Sequence, residues 1–246
     1  MRHRRPAPAA RHGARPAEER SLSDPRYVGS FPSADVSLDP PFPEVALVGR
    51  SNVGKSSLVN ALAGRVIARV SASPGKTRAL NVYLFRGAVG GRAARAPATT
   101  PAPAAAFPPL YLLDLPGYGY ARASKAQRTG YRRLIREALA RPGLAGVLWL
   151  LDIRHAPSTD DRRIHELLAD LGVPVLAAVT KSDRLSASAR HGRAADLGAT
   201  LALDSDQLIV TSAHAGEGVA ELREALVGLV GRGAGGGGGV PSTRAT

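Results

Sequence analysis

The chain contains no cysteine, only four lysines and no long apolar run. Without cysteine it can form neither disulfide bonds nor thiolate metal sites, and this suits a reducing compartment. Its longest apolar stretch, residues 143–151, is followed by Asp152 and is shorter than the ~20 residues that a membrane-spanning helix needs. We therefore expect a cytoplasmic protein without a transmembrane segment.

Acidic residues are also scarce relative to basic ones. The chain has 20 Asp and Glu against 33 Lys and Arg, which gives a formal net charge of +13. Lysine occurs only at positions 55, 76, 125 and 181, so the rest of the positive charge is arginine. A GC-rich genome would produce this bias through its codons, whereas a functional cause would be a polyanionic partner, which a basic surface attracts by counterion release. The charge favours contact with nucleic acid.

Strand and helix patterns alternate between residues 42 and 232, which we take as one domain. The predicted strands are residues 44–49, 81–86, 110–115, 146–153, 173–180 and 207–211. The predicted helices are residues 56–65, 124–141, 160–171, 186–203 and 219–230. This alternation predicts a doubly wound α/β fold, in which a mostly parallel six-stranded sheet is flanked by helices and ligands bind at the carboxyl ends of the strands.

Three segments fall outside this alternation. Residues 1–41 are rich in Arg, Pro, Ala and Ser, and we expect a disordered basic arm. A transit peptide is the alternative, although the prolines weaken the amphipathic helix that it needs. Residues 88–109 contain an Ala/Pro/Thr-rich run and predict an extended insertion, and residues 233–246 predict a flexible Gly-rich tail.

Residues 49–56, with the sequence GRSNVGKS, fit the pattern G-x-x-x-x-G-K-[ST] between a buried strand and an amphipathic helix. In such a loop the backbone N–H groups converge on phosphate oxygens at the positive end of a helix dipole. Lys55 adds a point charge for the β- and γ-phosphates, and the Ser56 hydroxyl is placed to bind Mg²⁺. The loop predicts a bound nucleoside triphosphate without identifying its base.

Two further segments complete the predicted phosphate site. Asp114 ends an apolar stretch, and its carboxylate can hold Mg²⁺ through water while the Gly117 N–H meets the γ-phosphate; an ordinary turn is the alternative. The Thr77 hydroxyl, in the loop of residues 74–77, can bind Mg²⁺ only while a γ-phosphate is present; an ordinary Pro-Gly turn is the alternative. We predict Lys55, Thr77 and Gly117 as catalytic residues, and Ser56, Thr77 and Asp114 as metal ligands.

The segment Thr180-Lys181-Ser182-Asp183 addresses the base. The Asp183 carboxylate can accept both N1–H and N2–H₂ of guanine, while adenine would leave it unpaired. A helix cap at Ser182 or Asp183 is the alternative. At the end of the last predicted strand, Thr211-Ser212-Ala213 can supply a backbone N–H for guanine O6. Together these segments predict GTP or GDP as the ligand.

The order of these motifs resembles that of the translation-factor-related GTPases with a Ras-like fold. Within that class, the sequences GRSNVGKSS (49–57), PGKT (74–77), DLPGYGYA (114–121) and DIRH (152–155) resemble the EngB (YihA) family of ribosome-assembly GTPases, over roughly residues 42–230. The nucleotide-binding residues predicted by motif and resemblance are Gly49, Arg50, Ser51, Asn52, Val53, Gly54, Lys55 and Ser56; Gly75, Lys76, Thr77, Arg78 and Ala79; Asp114, Leu115, Pro116 and Gly117; Thr180, Lys181, Ser182 and Asp183; and Thr211, Ser212 and Ala213.

The resemblance implies a GTPase that acts in large ribosomal subunit assembly and is linked to normal cell division and septation. We expect a monomer. The alternative is a regulatory GTP-binding module that recruits a protein or membrane partner with little turnover. A third option, an ATP-dependent kinase, is disfavoured by the guanine motif.

The residues around the phosphate site predict slow intrinsic hydrolysis. Many GTPases place a glutamine just after the Asp-x-x-Gly motif to orient the attacking water, and Tyr118 occupies that place here. A partner or an ion would then supply the acceleration. Asn52 suggests K⁺, which related GTPases with Asn at this position use; the alternative is that Asn52 only favours the geometry of the turn. His155 is expected to be structural rather than catalytic.

A basic helix face follows the Tyr118 loop. Arg128, Arg132 and Arg136 are spaced four apart, with further positive charge at Arg122, Lys125, Arg133 and Arg141. A solvated helix face is the alternative, but only Glu137 interrupts the positive charge. Because the helix follows the segment that senses the γ-phosphate, nucleotide state can change its position. We expect this face to contact rRNA of the large subunit.

Overall fold

The computed structural model describes residues 25–70, 79–87, 107–119 and 125–234, and within these ranges it has seven strands and five α-helices. The strands are β1 (Arg26–Phe31), β2 (Glu44–Gly49), β3 (Leu80–Gly87), β4 (Phe107–Asp114), β5 (Leu144–Asp152), β6 (Val175–Thr180) and β7 (Leu208–Val210). The helices are α1 (Lys55–Ala63), α2 (Lys125–Leu139), α3 (Thr159–Asp170), α4 (Ala187–Thr200) and α5 (Val219–Ala234). Short 3₁₀ turns span Ser182–Arg184 and Ser205–Gln207.

The strands form one mixed sheet in the order β1-β3-β4-β2-β5-β6-β7. From β4 to β7 neighbouring strands are parallel, while β3 runs antiparallel to both of its neighbours. Ala46 on β2 pairs with Leu113 on β4 and with Val147 on β5, so β2 lies at the centre of the parallel part. The predicted doubly wound, mostly parallel sheet is confirmed, with one strand more than the six expected.

The additional strand, β1, lies within the segment predicted to be a disordered arm. Residues 26–31 pair with β3, from Arg26 opposite Leu84 to Phe31 opposite Leu80. A register shift between Tyr27 and Gly29 interrupts the ladder, and no residue of β1 is fully buried. For these reasons the sequence of β1 lacks the regular apolar alternation of a strand. The segment forms a strand because it pairs with β3, which is distant in the sequence. Residues 1–24 lie outside the described residues.

Two other predicted boundaries also move. β4 begins at Phe107, so residues 107–109 belong to the sheet and not to the insertion. α5 continues to Ala234, two residues past the predicted end of the domain. Residues 88–106 and 235–246 lie outside the described residues, and for them the insertion and the tail stay predictions.

Helices cover both faces of the sheet, and β2 shows how the sequence achieves this. Its side chains alternate: Val45 and Leu47 pack on one face with residues of α1 and α5, whereas Ala46 and Val48 pack on the other face with residues of α2 and α3. All four are fully buried. A strand buried on both faces reads as a continuous apolar run, as expected for a parallel sheet. Among the described helices none is long and apolar enough to span a bilayer.

Candidate nucleotide-binding site

The predicted nucleotide motifs meet at one edge of the sheet. The phosphate-binding loop of residues 49–56, here called the P-loop, follows β2. Asp114 ends β4, Thr180 ends β6 and Thr211 follows β7. Because β4, β2, β5, β6 and β7 are consecutive parallel neighbours, their carboxyl ends lie side by side, where open α/β sheets bind ligands. Of the loop predicted to sense the γ-phosphate, Ala79 is described and half-buried just before β3. Gly75, Lys76, Thr77 and Arg78 lie outside the described residues.

The P-loop is a tight turn that leads directly into α1. Asn52 and Gly54 have positive φ angles of 63° and 111°. Lys55 Nζ lies 3.4 Å from the Gly49 carbonyl oxygen and 3.5 Å from that of Arg50. Burial lowers the pKa of Lys55, and the Asp114 carboxylate opposes this shift. The ammonium group therefore contacts weak backbone acceptors, and phosphate oxygens would be stronger ones.

The Asp-x-x-Gly segment is packed directly against the P-loop. Ser51 Oγ donates to the Gly117 carbonyl at 3.1 Å, and Ser51 N donates to the Tyr118 carbonyl at 2.9 Å. A Cβ atom on Gly117 would lie 2.7 Å from both the N and Cα atoms of Ser51, closer than real contacts allow. Glycine at 117 therefore permits this contact between the two phosphate segments.

Asp114 has the properties of a divalent-cation ligand. Its side chain is buried, and its Oδ1 and the Tyr131 hydroxyl are the buried side-chain atoms of the described residues that lack a hydrogen-bond partner. Burial raises the pKa of Asp114 to about 6, against the opposing effects of Lys55 and a hydrogen bond with Asn81. A buried carboxylate oxygen without a partner is costly, and a cation would satisfy it.

The donor set around Asp114 fits Mg²⁺. Ser56 follows Lys55 at the start of α1 and provides a hydroxyl, and Thr77 lies outside the described residues. Within the described part of the chain no three His, Cys, Asp or Glu side chains cluster as a metal cage would require. Mg²⁺ in nucleotide sites is usually held by one or two protein oxygens together with phosphates and water, so these residues fit the ion.

A cavity of about 170 Å³ lies beside the P-loop. It lies between α1 and the two segments predicted to recognise the base, residues 180–183 and 211–213. Gly54 and Leu58 line it on one side, and Lys181, Asp183 and Ala213 on the other. The structure thus brings the guanine motif and the last predicted loop to the same pocket, next to the phosphate segments.

Lys181 connects the base motif to the P-loop. It has a positive φ of 64°, and its Nζ donates to the Asn52 carbonyl at 2.6 Å and to Asp152 Oδ2 at 2.9 Å. Arg154 holds the same carboxylate through Nε and Nη2, at 2.9 and 2.8 Å. Burial alone would raise the pKa of Asp152, but the hydrogen bonds from Arg154 and Lys181 outweigh it and keep the pKa below its ordinary value. Asp152 is therefore ionised.

Asp183 is held at the rim of the pocket. Ser212 Oγ donates to its Oδ1 at 2.7 Å, and Arg184 Nε lies 3.2 Å from its Oδ2. The hydrogen bond from Ser212 contributes most to lowering the pKa of Asp183, so its carboxylate is an acceptor at neutral pH. The side chains of Ser182 and Thr211 are buried, and their hydroxyls bond within the protein. These two residues support the loops through their side chains.

Sequence reasoning missed a buried polar group beneath the phosphate site. The Tyr118 hydroxyl donates to Asp161 Oδ1 at 2.6 Å and accepts from Trp149 Nε1 at 2.8 Å. Asp161 also forms a capping box with Ser158 at the start of α3. The Tyr118 ring therefore points into the core, where burial and then Asp161 raise its pKa well above the ordinary value. The Ser-x-x-Asp spacing at 158–161 was the available sequence signal.

The basic helix face is present in part. Arg132 and Arg136 are exposed on α2, and exposed Arg133 pairs with Glu137 at 2.6 Å. Arg141 does not belong to this face: it forms a bidentate ion pair with buried Glu44, at 2.5 and 2.6 Å, because the end of α2 packs against the start of β2. The Arg128 side chain and Arg122 lie outside the described residues. His155 is exposed.

The fold and the site together define a P-loop GTPase. The family model described as "50S ribosome-binding GTPase" matches residues 44–181. A probable GTP-binding protein EngB from Gemmatimonas aurantiaca is 43% identical over 190 residues, covering 76% of this chain and 83% of that protein. The Bacillus subtilis protein of the same name is 36% identical over 193 residues, with 77% and 88% covered. The chain belongs to the EngB family of GTP-binding proteins.

Solved structures agree on the fold. The crystal structure of a probable GTP-binding protein EngB matches with a TM-score of 0.56 at 18% identity, covering 76% of this chain and 98% of that one. Era from Aquifex aeolicus matches with a TM-score of 0.58 at 22% identity, covering 76% and 56%. The predicted family and the Ras-like P-loop fold are confirmed, and membership of the family supports GTP binding and hydrolysis in general terms.

Proposed function

We propose that this protein is a Mg²⁺-dependent GTP switch that acts in assembly of the large ribosomal subunit, with a consequence for cell division and septation. The observation that carries the nucleotide part is the ionised Asp183 at a pocket continuous with the P-loop. The ribosomal part is supported by the description of the matching family model and by the exposed Arg132 and Arg136. A structural neighbour, Era, was solved with MgGDPNP and nucleotides of 16S ribosomal RNA, which supports RNA as the class of partner.

Each phosphate-site residue has a distinct role in this proposal. Ser56, Thr77 and Asp114 would hold Mg²⁺, which would neutralise charge on the β- and γ-phosphates. Lys55 binds the same phosphates, and the Gly117 N–H meets the γ-phosphate. Because the Tyr118 hydroxyl is fixed to Asp161 and Trp149, it cannot orient the attacking water, and intrinsic hydrolysis is slow.

Base selectivity tests the nucleotide part of the proposal. We expect wild-type protein to bind GDP at least 10⁴-fold more tightly than ADP, because adenine leaves Asp183 unpaired. Asp183→Asn exchanges an acceptor for a donor, so it should weaken GDP binding at least 100-fold and favour XDP, whose C2 carbonyl accepts a hydrogen bond. Asp206→Asn, at an exposed position, is the matched control. Unchanged GDP affinity in Asp183→Asn would refute the assignment.

Sedimentation with ribosomal particles tests the partner. We expect co-sedimentation with large-subunit precursors in a non-hydrolysable GTP analogue but not in GDP. Arg132→Glu/Arg136→Glu should weaken this binding and reduce its salt dependence, because each lost phosphate contact lowers the slope by about 1. Arg162→Glu/Arg232→Glu alters exposed arginines on α3 and α5 and is the control of equal charge.

Failure to sediment in either nucleotide state would favour the second candidate, a regulatory GTP-binding module with little turnover. That candidate gains support from the buried Tyr118, which leaves the motif without a water-orienting side chain.

Turnover measured in K⁺ and in Na⁺ separates the two roles of Asn52: equal rates would show that it serves only the turn, where its φ is 63°.

A further inference from the structure

Glu217 touches both loops that carry the predicted base recognition. We propose that Glu217, held by Arg190, is a positioning residue for guanine: it locks the loop after β6 to the loop after β7 and thereby fixes the orientation of Asp183. The inference rests on the proposed role of Asp183 in binding guanine. Glu217 lies outside the motifs that the sequence predicted, in the turn between β7 and α5.

The side chain of Glu217 holds the first loop. Ser182 Oγ donates to Glu217 Oε2 at 2.6 Å, and Ser182 is completely buried. A hydrogen bond to a carboxylate is charge-assisted and stronger than one between neutral groups. Ser182 directly precedes Asp183 in the chain, so this bond anchors the backbone from which the Asp183 side chain projects.

The main chain of Glu217 holds the second loop. Ser212 N donates to the Glu217 carbonyl at 2.9 Å, and Ser212 Oγ donates to Asp183 Oδ1 at 2.7 Å. The next residue, Gly218, has a φ of 68°, and a Cβ there would lie 2.1 Å from the Val210 carbonyl oxygen. The backbone at Glu217 is thus closely packed against the end of β7, and Asp183 is reached from Glu217 by two routes, through Ser182 and through Ser212.

Arg190 on α4 orients the carboxylate. Its Nη1 lies 2.7 Å from Glu217 Oε1 and 2.9 Å from Oε2, and its Nε donates to the Leu185 carbonyl at 3.0 Å. The Glu217 side chain is 41% exposed, and an ion pair at such a site adds little to stability because water screens it. The proposed role of the Arg190–Glu217 ion pair is therefore to orient the carboxylate rather than to stabilise the fold.

Guanine recognition needs this geometry because Asp183 must serve several donors at once. One of its oxygens already accepts from Ser212, and N1–H and N2–H₂ of the base need the remaining acceptor positions in register. Binding constellations work when their groups are held to about 0.5 Å, which requires supporting hydrogen bonds. Loss of the Glu217 contacts should therefore weaken recognition of the N2 amino group in particular.

The experiment compares GDP with IDP, which lacks that amino group. We expect Glu217→Ala to raise the Kd for GDP about tenfold, as loss of a charge-assisted hydrogen bond would, and to raise the Kd for IDP less. Ser182→Ala should give the same pattern. The double variant should bind GDP no more weakly than the weaker-binding single variant, because both substitutions remove the same contact between Ser182 and Glu217. Glu221→Gln, at an exposed acid on α5, is the control.

Two results would overturn the inference. The first is that both variants bind GDP as tightly as the wild type does. The second is that the affinities for GDP and IDP fall equally and the unfolding midpoint of the variants falls with them. Ser182→Ala keeps the test decisive if Glu217→Ala does not fold. Failure of the proposed function looks different, since wild-type protein would then show no preference for GDP over ADP and Asp183→Asn would change nothing. If the wild-type preference for GDP and the effect of Asp183→Asn are as expected but the Glu217 and Ser182 variants bind like the wild type, only the proposed role of Glu217 is refuted.

Discussion

At the scale of single residues, Asp114 is the side chain whose environment is least favourable without a ligand. Its carboxylate is buried, one oxygen has no partner within the described residues, and burial raises its pKa to about 6. Ionisation of Asp114 in the folded, ligand-free protein therefore opposes folding. The proposed cation site would therefore be maintained at the expense of the stability of the ligand-free protein.

Asp114→Asn should stabilise the protein in the absence of Mg²⁺ and nucleotide. Because the folded-state pKa of Asp114, about 6, lies above its ordinary 3.8, stability from this group is complete below pH 4 and is lost as pH rises through 6. The shift corresponds to about 3 kcal/mol. We expect a gain approaching this value at pH 8 and almost none at pH 4, measured by denaturant unfolding in EDTA. Asp170→Asn, at an exposed position, is the control, and an equal gain at both pH values would contradict the explanation.

Whether a residue of the candidate site could be predicted from the sequence depends on how far along the chain its contacts lie. Lys55, Asp114 and Asp183 could be predicted because their motifs are local and their spacing implies a ligand. Glu217 could not, because its partner Ser182 lies 35 residues away and no local motif includes Glu217. For Asp161 the Ser-x-x-Asp spacing indicates the helix cap, but not the hydrogen bond with Tyr118, which lies 43 residues away. Tertiary hydrogen bonds of this kind are fixed by packing, which periodicity does not report.

At the scale of elements, Tyr118 ties the loop after β4 to β5 and α3. Its backbone is bonded to Ser51 and Gly49 in the P-loop, and its hydroxyl to Asp161 and Trp149. The segment proposed to meet the γ-phosphate is thus held through both the backbone and the side chain of Tyr118. A movement of this loop on hydrolysis would be passed to the start of α3 through Asp161.

Tyr118→Phe keeps the ring and removes this connection. Asp161 and Trp149 would each lose a buried partner, which costs about 1–3 kcal/mol of unfolding free energy. Because the loop carrying Gly117 loses its side-chain connection to β5 and α3, we also expect affinity for a non-hydrolysable GTP analogue to fall more than affinity for GDP. Calorimetry of unfolding and nucleotide titrations measure the two effects. Tyr27→Phe, on exposed β1, should change neither.

At the scale of the whole molecule, the described fold starts earlier than the motifs suggest. β1 forms the edge of the sheet beside β3, and Arg65 Nε donates to the Pro25 carbonyl at 3.0 Å, just before β1. Phe31 packs against the core face that holds Leu80 and Tyr111. The central sheet could be predicted from its apolar strands, whereas an edge strand without a fully buried residue could not.

Removal of β1 should therefore destabilise the domain without removing any nucleotide motif. We expect deletion of residues 1–32 to lower the unfolding free energy by roughly 2–4 kcal/mol relative to deletion of residues 1–24, from lost ladder hydrogen bonds and exposure of Phe31. Both proteins should still bind GDP, which fluorescence titration can check. Equal stability of the two truncated proteins would mean that β1 contributes nothing to the fold.

The burial of Lys55 has a chemical consequence. Of the four lysines in the chain, Lys55, Lys76 and Lys181 belong to the predicted nucleotide motifs and Lys125 begins α2. The other positively charged side chains are arginines, whose guanidinium groups do not react with amine-selective acylating reagents. A lowered pKa gives Lys55 a larger share of neutral, nucleophilic amine, and Lys181 is held between Asp152 and the P-loop. Acylation followed by mass spectrometry should therefore report nucleotide occupancy at these amines against a background of almost no other labelled side chain.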